Sequence, residues 1–243
     1  MMAPLRHHSR GAIPILCLLA ATAWAQELRD VLPKVAQQAR APRPLRADVR
    51  LARDGAPVLE AVLLEHGRRR YLETRTGTRA LLSPSKAVVV RGGRITRAAP
   101  GMALDGTDVL LEDLEPFGVG ALTIPQVSDE GPTGMVVTGA PTPPTAYALL
   151  VHTIDPDRAV IVKTKYYRDS VTNLIKMGRD DGFTEVGGRW RPDTMAIETF
   201  RPESRTTTLT LAWREAPDIP AAVFTPGGLR APSPIAWPSE RSP

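Results

Sequence analysis

Cysteine is nearly absent from this 243-residue sequence, in which Cys17 is the only example. That residue lies in an N-terminal stretch with the features of an export signal, where Arg6 and Arg10 precede an apolar run from Ala12 to Ala23. The run is shorter than the roughly 20 residues of a membrane-spanning helix, and we expect cleavage after Ala25. Removal of the first 25 of 243 residues leaves 218 without any cysteine, which excludes disulfides, thiolate metal sites and a cysteine nucleophile.

Catalytic and metal-binding patterns are also missing. His66 and His152 are the only histidines after the expected signal, and their separation does not suggest the three or four ligands of a metal site. No Gly-x-Ser-x-Gly elbow occurs, and the acidic pair Asp180-Asp181 precedes a glycine, which is typical of a turn. We therefore predict no catalytic residue, no metal and no cofactor. The chain is not expected to be an enzyme, and a hydrolase is the weakest of the alternatives.

A strong excess of one charge is absent as well. Without Arg6 and Arg10 the chain has 29 basic and 26 acidic residues, a net charge of +3. Its densest basic group is Arg68-Arg69-Arg70, and no basic stripe with interleaved aromatic residues occurs. Nucleic acid is therefore not an expected partner. An anionic lipid surface is a partner that this basic group could attract modestly.

The sequence contains instead a succession of short β-strand patterns. In one of them Val160, Val162, Thr164 and Tyr166 alternate with other residues, as a strand with one covered face requires. Asp-Gly and Gly-Gly pairs between the patterns favour tight hairpins. The predicted strands are residues 48–53, 58–66, 70–75, 79–82, 86–91, 134–138, 145–154, 158–168, 171–177, 184–186, 189–191, 193–200 and 205–213. A sheet of this many strands usually curls or closes.

Two helices are predicted beside the strands. Residues 27–40 carry apolar side chains near helical spacing, and residues 109–114 follow a Gly-Thr-Asp cap and end before a proline. Residues 117–134 are predicted to be mostly loop, and the proline- and serine-rich residues 230–243 to form a disordered tail. We therefore expect one mainly β (α+β) domain at residues 26–229.

An ordered series of short motifs runs through the chain. It begins with Gly106-Thr107-Asp108 followed by Glu112-Asp113-Leu114. It continues with Tyr147, Lys165-Tyr166-Tyr167-Arg168-Asp169, Lys176-Met177, Val186-Gly187-Gly188-Arg189-Trp190-Arg191-Pro192, Met195, Thr206-Thr207-Thr208-Leu209 and Phe224-Thr225-Pro226. The series resembles that of the bacterial outer-membrane lipoprotein-sorting (LolA-like) family, whose first motif reads G-S-D-F-S-Y-E-D-L. The similarity covers residues 45–229.

The resemblance implies an incomplete antiparallel β-barrel with helices covering its concave face and a hydrophobic cavity between them. It also implies a role, the periplasmic carriage of lipoprotein or other acylated lipid cargo, with an inner-membrane transporter as a further partner. In the best-known carriers of this family an arginine holds the helical lid. By position Arg75, Arg79 and Arg91 are all candidates for that arginine here, and the assignment stays open.

Apolar faces of the predicted strands supply a candidate ligand-binding surface. Its residues are Val160, Val162, Tyr166, Met195, Ile197, Leu209, Leu211 and Trp213. An apolar hollow would remove an acyl chain from water, where each CH₂ costs about 0.8 kcal/mol. The first hypothesis is therefore a periplasmic carrier of hydrophobic ligands. The alternative is an envelope sensor or adaptor that works by protein–protein contact on the same scaffold.

Overall fold

One antiparallel sheet of thirteen strands organises the described part of the chain. The computed structural model describes residues 30–84, 86–91, 93–115, 122–129, 134–142 and 145–237. The expected signal at residues 1–25 and the last six residues of the predicted tail lie outside these ranges. The strands are β1 (Ala41–Arg53), β2 (Ala56–Gly67), β3 (Arg69–Thr74), β4 (Arg79–Ser83), β5 (Lys86–Arg91), β6 (Arg94–Arg97), β7 (Leu122–Asp129), β8 (Met135–Pro141), β9 (Leu149–Asp155), β10 (Val160–Tyr167), β11 (Leu174–Val186), β12 (Arg189–Thr199) and β13 (Arg205–Glu215).

Two meanders make up the sheet and meet at its centre. β1 to β6 run outward to one edge, the chain crosses to the opposite edge, and β7 to β13 return. β13 then pairs with β1 in a register that extends from Leu45↔Glu215 to Arg53↔Thr207. β6 and β7 remain as edges, so the sheet does not close. This is the incomplete antiparallel barrel that the sequence predicts. Within the described ranges no helix is long and apolar enough to cross a membrane.

Long strands replace several short predicted ones in the second meander. β11 continues through Asp181 and Gly182, where the sequence predicts a turn, and β12 joins two predicted pieces. Gly182 has a φ of 62°, which glycine adopts at little cost. The residue therefore bends the strand locally, and pairing resumes at Phe183↔Pro192. The predicted turn is wrong for this reason.

The helix predicted at residues 109–114 is wrong except for one short turn. Only the 3-10 helix Leu111–Leu114 forms. Ala103 makes a β-bridge with Leu110, so the chain folds back on itself and a regular helix cannot extend through this region. The loop predicted for residues 117–134 is wrong in part as well, because it contains β7.

Two pieces of chain cover the inner face of the sheet. Helix α1 (residues 30–38) packs Val31 and Val35 against strands of the second meander. Residues 98–115, here called the inner segment, cover β1 to β5 together with β12 and β13. The buried apolar side chains of the inner segment are Leu104, Val109, Leu111 and Leu114. The inner face therefore has two apolar clusters, one beneath each piece.

Residues 216–237, here called the outer segment, cover the opposite face of the first meander. They contain the 3-10 helix Ala221–Phe224 and helix α2 (Pro226–Arg230). Four side chains of the segment are buried in a third cluster against β2 to β4, namely Val223, Phe224, Leu229 and Ile235. The sheet is thus covered on both faces in its first half.

The outer segment stays packed where the sequence predicts a disordered tail. The Ser233 hydroxyl lies 2.6 and 2.8 Å from the two oxygens of the buried Glu73 carboxylate and donates to it. The indole N–H of Trp237 donates to the same carboxylate at 3.3 Å, and Ile235 is only 6% exposed. Residues 231–237 therefore lie against β3, which differs from the prediction.

Candidate functional site

A cavity of about 150 Å³ lies on the inner face between α1 and the inner segment. Val35 of α1 and Leu114 of the inner segment line it on the covering side. Leu63, Leu150 and Leu211 line it on the side of the sheet, from β2, β9 and β13. These residues are distant in sequence, and the strand order of the sheet brings them to one wall.

Six of the eight residues predicted to contact a ligand line this cavity, namely Val160, Tyr166, Met195, Ile197, Leu211 and Trp213. Val162 does not, because a β-bulge between Ile161 and Lys163 interrupts the alternation of β10 and brings these two neighbours to the wall. Leu209 does not line it either, and packs instead in the cluster beneath the inner segment. Ligand binding by any of the eight stays a prediction.

The polar part of the wall is not apparent from the sequence. His152, Lys163 and Asp180 come from the sheet, and Glu115 comes from the end of the inner segment. The sequence indicates a turn at Asp180 and an ordinary strand histidine at His152, and no local pattern marks either as a cavity residue. In the described part of the chain no group of three or more His, Asp or Glu side chains is arranged to hold a metal ion.

Burial changes the protonation of these groups. It raises the pKa of the Glu115 carboxyl to about 8, with a further contribution from the Glu112 carboxylate. It raises the pKa of Asp180 to about 7 against the opposing charge of Arg70. Burial also lowers the pKa of His152 to about 4. Near neutral pH the wall therefore contains a neutral imidazole and carboxyl groups that retain part of their protons.

A buried carboxylate links both covering pieces to the sheet. Glu65 on β2 is fully buried and accepts two hydrogen bonds from the Arg191 guanidinium, at 2.9 and 3.1 Å, while Arg70 lies 3.6 Å away. Arg191 also donates to the carbonyl of Gln38 at the end of α1, at 2.8 Å. Arg70 donates to the carbonyl of Leu114 in the inner segment, also at 2.8 Å. One carboxylate thus orients two arginines, and each of them binds one covering piece.

The candidate lid-holding arginines lie elsewhere. Arg75 forms an ion pair with a glutamate of β2 at 2.9 Å. Arg79 donates to a backbone carbonyl of the outer segment at 2.7 Å. The side chain of Arg91 falls outside the described part of the structure. Within the described residues, the side chains that bind the two covering pieces from Glu65 are Arg70 and Arg191, which sequence position did not suggest.

A second buried polar cluster, centred on Asp113, holds the inner segment against the sheet. The Lys176 ammonium donates to Asp113 Oδ2 at 2.7 Å and to the carbonyl of Asp108 at 2.9 Å. The Tyr147 hydroxyl donates to Asp113 Oδ1, and the ring of Tyr147 packs on Tyr166 with 4.7 Å between centroids. Burial and the charge of Asp113 raise the pKa of the Tyr147 hydroxyl well above its ordinary value. Tyr147 therefore remains protonated and acts as a donor.

The residues that make these contacts around Asp113 belong to the motif series noted in the sequence. Its members Asp108, Asp113, Tyr147, Lys176 and Thr207 contact one another, since Thr207 donates to the Asp108 carboxylate. They connect the inner segment to β11, to β13 and to the residues just before β9. These five motif residues therefore hold a covering piece in place, whereas the motif residues Tyr166 and Met195 lie on the cavity wall.

Comparison with solved structures identifies the fold. A domain described as an outer membrane lipoprotein-sorting protein domain from Vibrio parahaemolyticus has a TM-score of 0.68 at 14% identity, over 83% of this chain and 97% of that one. A DUF1329 family protein from Desulfovibrio piger has a TM-score of 0.63 at 16% identity, over 82% and 96%. A LolA superfamily protein from Nitrosomonas europaea has a TM-score of 0.61 at 19% identity, over 81% and 96%. At these identities the likeness shows a shared fold.

Sequence comparison adds the family. No curated protein matches this chain. One family model, described only as an uncharacterized protein, matches residues 89–231, from β5 to the outer segment, which is more than half of the chain. The chain belongs to this family of uncharacterized proteins, and its fold is LolA-like.

Proposed function

We propose that this protein carries hydrophobic ligands in the periplasm and shields acyl chains in the cavity of its inner face. The observation that carries the proposal is the position of an apolar wall between two covering pieces that separate contacts hold in place. The cargo we propose is lipoprotein or another acylated lipid, with an inner-membrane transporter as the donor. The proposal contains no catalytic step.

The cavity volume corresponds, in this proposal, to a closed state. A space of about 150 Å³ equals roughly five water molecules at about 30 Å³ each. It is smaller than the roughly 300–1,000 Å³ of sites for drug-sized ligands. An acyl chain would therefore bind only after α1 moves away from the sheet. Because α1 buries only two valines fully, its displacement exposes little apolar surface.

Binding energy for this opening would come from the ligand itself. Each CH₂ that leaves water contributes about 0.8 kcal/mol, so a few methylene groups offset the contacts that α1 loses. In this proposal the acyl chain is held by apolar contacts and not by a covalent bond. It is released when another apolar site binds it more tightly. This matches the chemistry of reversible carriage.

A cavity-filling variant tests the proposal. Met195→Trp places an indole from β12 on the cavity wall. Met177→Trp is the matched control, because Met177 lies on the neighbouring strand β11, beside Arg179 on the opposite face of the sheet. We expect wild type and Met177→Trp to bind a fluorescent acyl probe, and Met195→Trp to bind it at least about tenfold more weakly. Native mass spectrometry and lipid extraction of protein from the cell envelope provide the second measurement. Absence of any acyl ligand, together with failure to load one, would refute the proposal.

A protein-contact adaptor is the second candidate, and the small cavity volume is the observation that favours it. Val58 and Val171 are the large apolar side chains with high exposure in the described ranges, and each is a single position and not part of a patch. Crosslinking in the envelope separates the candidates. An adaptor keeps its protein contact in Met195→Trp, whereas a carrier loses its cargo.

A further inference from the structure

We infer that His152 is a ligand-contacting residue whose ring selects a neutral oxygen of the ligand, such as an ester carbonyl or a hydroxyl. The inference rests on the proposed carrier function and specifies the chemical class of the ligand. That class is a neutral amphiphile with an acyl or alkyl tail, in preference to a fatty-acid anion.

One ring nitrogen of His152 has no protein partner. Its Nδ1 lies 2.9 Å from the hydroxyl oxygen of Thr164. Its Nε2 is buried and has no hydrogen-bond partner among the residues that the structure describes. The side chain is 2% exposed and lines the cavity. Because buried polar atoms are almost always paired, we take this nitrogen as the position where a ligand atom would complete the hydrogen bonding once movement of α1 has opened space around the ring.

The surroundings of His152 keep it uncharged. On β9 it stands between Leu150 and Ile154, and its strand neighbours are Val137 on β8 and Thr164 on β10. Burial alone lowers the pKa of the imidazole to about 4. The ring therefore offers a ligand one neutral donor or acceptor and no charge.

Basic and acidic side chains both lie on the wall, namely Arg70, Lys163 and Arg191 beside Asp113, Glu115 and Asp180, and burial keeps Glu115 and Asp180 partly protonated near neutral pH. Arg191 and Asp113 are already engaged in buried ion pairs. An anionic headgroup would force the carboxyls of Asp180 and Glu115 to stay fully protonated, while a cationic one would meet the charge of Arg70. A neutral oxygen avoids both costs.

Lys163 is the wall cation that a fatty-acid carboxylate would have to use. It has no ion pair with a carboxylate of the described residues. A carboxylate bound there would make affinity depend on Lys163 and leave His152 Nε2 unpaired. The affinity for a fatty-acid carboxylate should therefore depend on Lys163, whereas the affinity for a neutral ester or alcohol should depend on His152.

The experiment uses dodecyl ligands that differ only in the headgroup: methyl dodecanoate, dodecanol, dodecanoate and dodecane. Displacement of a fluorescent acyl probe at pH 7.5 measures their affinities for the full mature chain. We expect the ester and the alcohol to bind more tightly than dodecane and dodecanoate. In His152→Leu the ester and alcohol lose about tenfold in affinity, while dodecane is unaffected.

His66→Leu is the matched control, because the His66 ring packs on Phe224 at 5.5 Å between centroids, on the side of the outer segment. Its ligand affinities are expected to equal those of wild type. A second readout needs no variant: in ¹⁵N-imidazole NMR of wild type, the Nε2 resonance of His152 shifts with methyl dodecanoate and not with dodecane.

The outcomes separate the inference from the proposed function. If wild type binds none of the four ligands, dodecane included, the carrier proposal itself fails. If the ligands bind but His152→Leu leaves ester and alcohol affinity unchanged, or the Nε2 resonance does not shift, the inference is overturned and the carrier stands. Preferential binding of dodecanoate that is lost in Lys163→Met would overturn it as well.

Discussion

α1 and the inner segment cover the same face of the sheet by different physical means. The inner segment buries four apolar side chains and forms the Asp113–Lys176 ion pair, in which the carboxylate side chain is fully buried. α1 fully buries Val31 and Val35, and backbone carbonyls at its C-terminal end accept hydrogen bonds from arginines of β12. A cavity between a firmly held cover and a weakly held one opens on the weak side. We therefore assign the movement needed for ligand access to α1.

Release of the firmly held cover, the inner segment, should have the largest effect on stability. Asp113→Ala leaves the Lys176 ammonium buried without its counter-charge, and we expect a loss of about 3–5 kcal/mol in the free energy of unfolding. Urea denaturation measures this loss. The control is Glu203→Ala, which removes an exposed ion pair with Arg205 and should leave the free energy of unfolding nearly unchanged. Similar costs for both variants would show that the buried pair is not the anchor.

Apolar truncation compares the two covers directly. Leu111 of the inner segment is 2% exposed, and Leu111→Ala should cost about 3 kcal/mol, because the closed surroundings cannot collapse into the space. Val31→Ala in α1 should cost about 1 kcal/mol or less, because α1 can detach locally while the sheet stays folded. Equal losses in urea denaturation would contradict the proposed difference between the covers.

Arg191→Met should release α1 specifically. The variant removes the hydrogen bond to the Gln38 carbonyl and both hydrogen bonds to the buried Glu65 carboxylate, which keeps only Arg70 as a charged neighbour, so we expect a loss of about 3 kcal/mol. Hydrogen exchange should accelerate in residues 30–38 and remain slow in residues 98–115. Faster exchange in both pieces would show that the two covers open together.

A smaller effect is expected from pH between about 6.5 and 8. Folding raises the pKa of Asp180 to about 7 and that of Glu115 to about 8, above their ordinary values near 4, so the folded chain binds more protons. The free energy of unfolding should therefore fall as pH rises through this window. His152, with its pKa lowered to about 4, contributes the opposite slope only below its ordinary value near 6.5.

The double variant Asp180→Asn/Glu115→Gln should flatten this pH dependence in thermal unfolding. Asp157→Asn changes an exposed turn residue and should leave it intact. If the stability of the double variant still changes with pH in this range, other titratable groups cause the effect. Titration of Asp180 and Glu115 in the cavity wall would then not explain it.

Much of the sheet can be predicted from the sequence because alternation and turn residues are local signals. The strand neighbours are not local, and the pairing of β1 with β13 depends on contacts between distant parts of the chain. Local signals also fail where context overrides them. Gly182 bends a strand that it was expected to end, and Ala103 pairs with Leu110 where a helix was expected.

The candidate site shows the same division. Apolar strand faces predicted six of the wall positions, since burial on one face repeats every two residues, but the bulge at Val162 has no sequence signal. Asp180 and His152 look ordinary in sequence. Each becomes part of a cavity wall only because the fold brings residues that are distant in sequence close to it. The motif series was informative about family and fold, although the contacts of Asp113 and Lys176 emerge only from the structure.

The pairing of β1 with β13 has a consequence for biogenesis. The first strand has a free edge until the last strand arrives, so the two halves of the sheet cannot join before almost the whole chain is available for pairing. Such long-range closure is slow compared with hairpin formation. An exposed strand edge is prone to wrong pairing during this delay, so the chain is most exposed to aggregation until the strand that ends at residue 215 is in place.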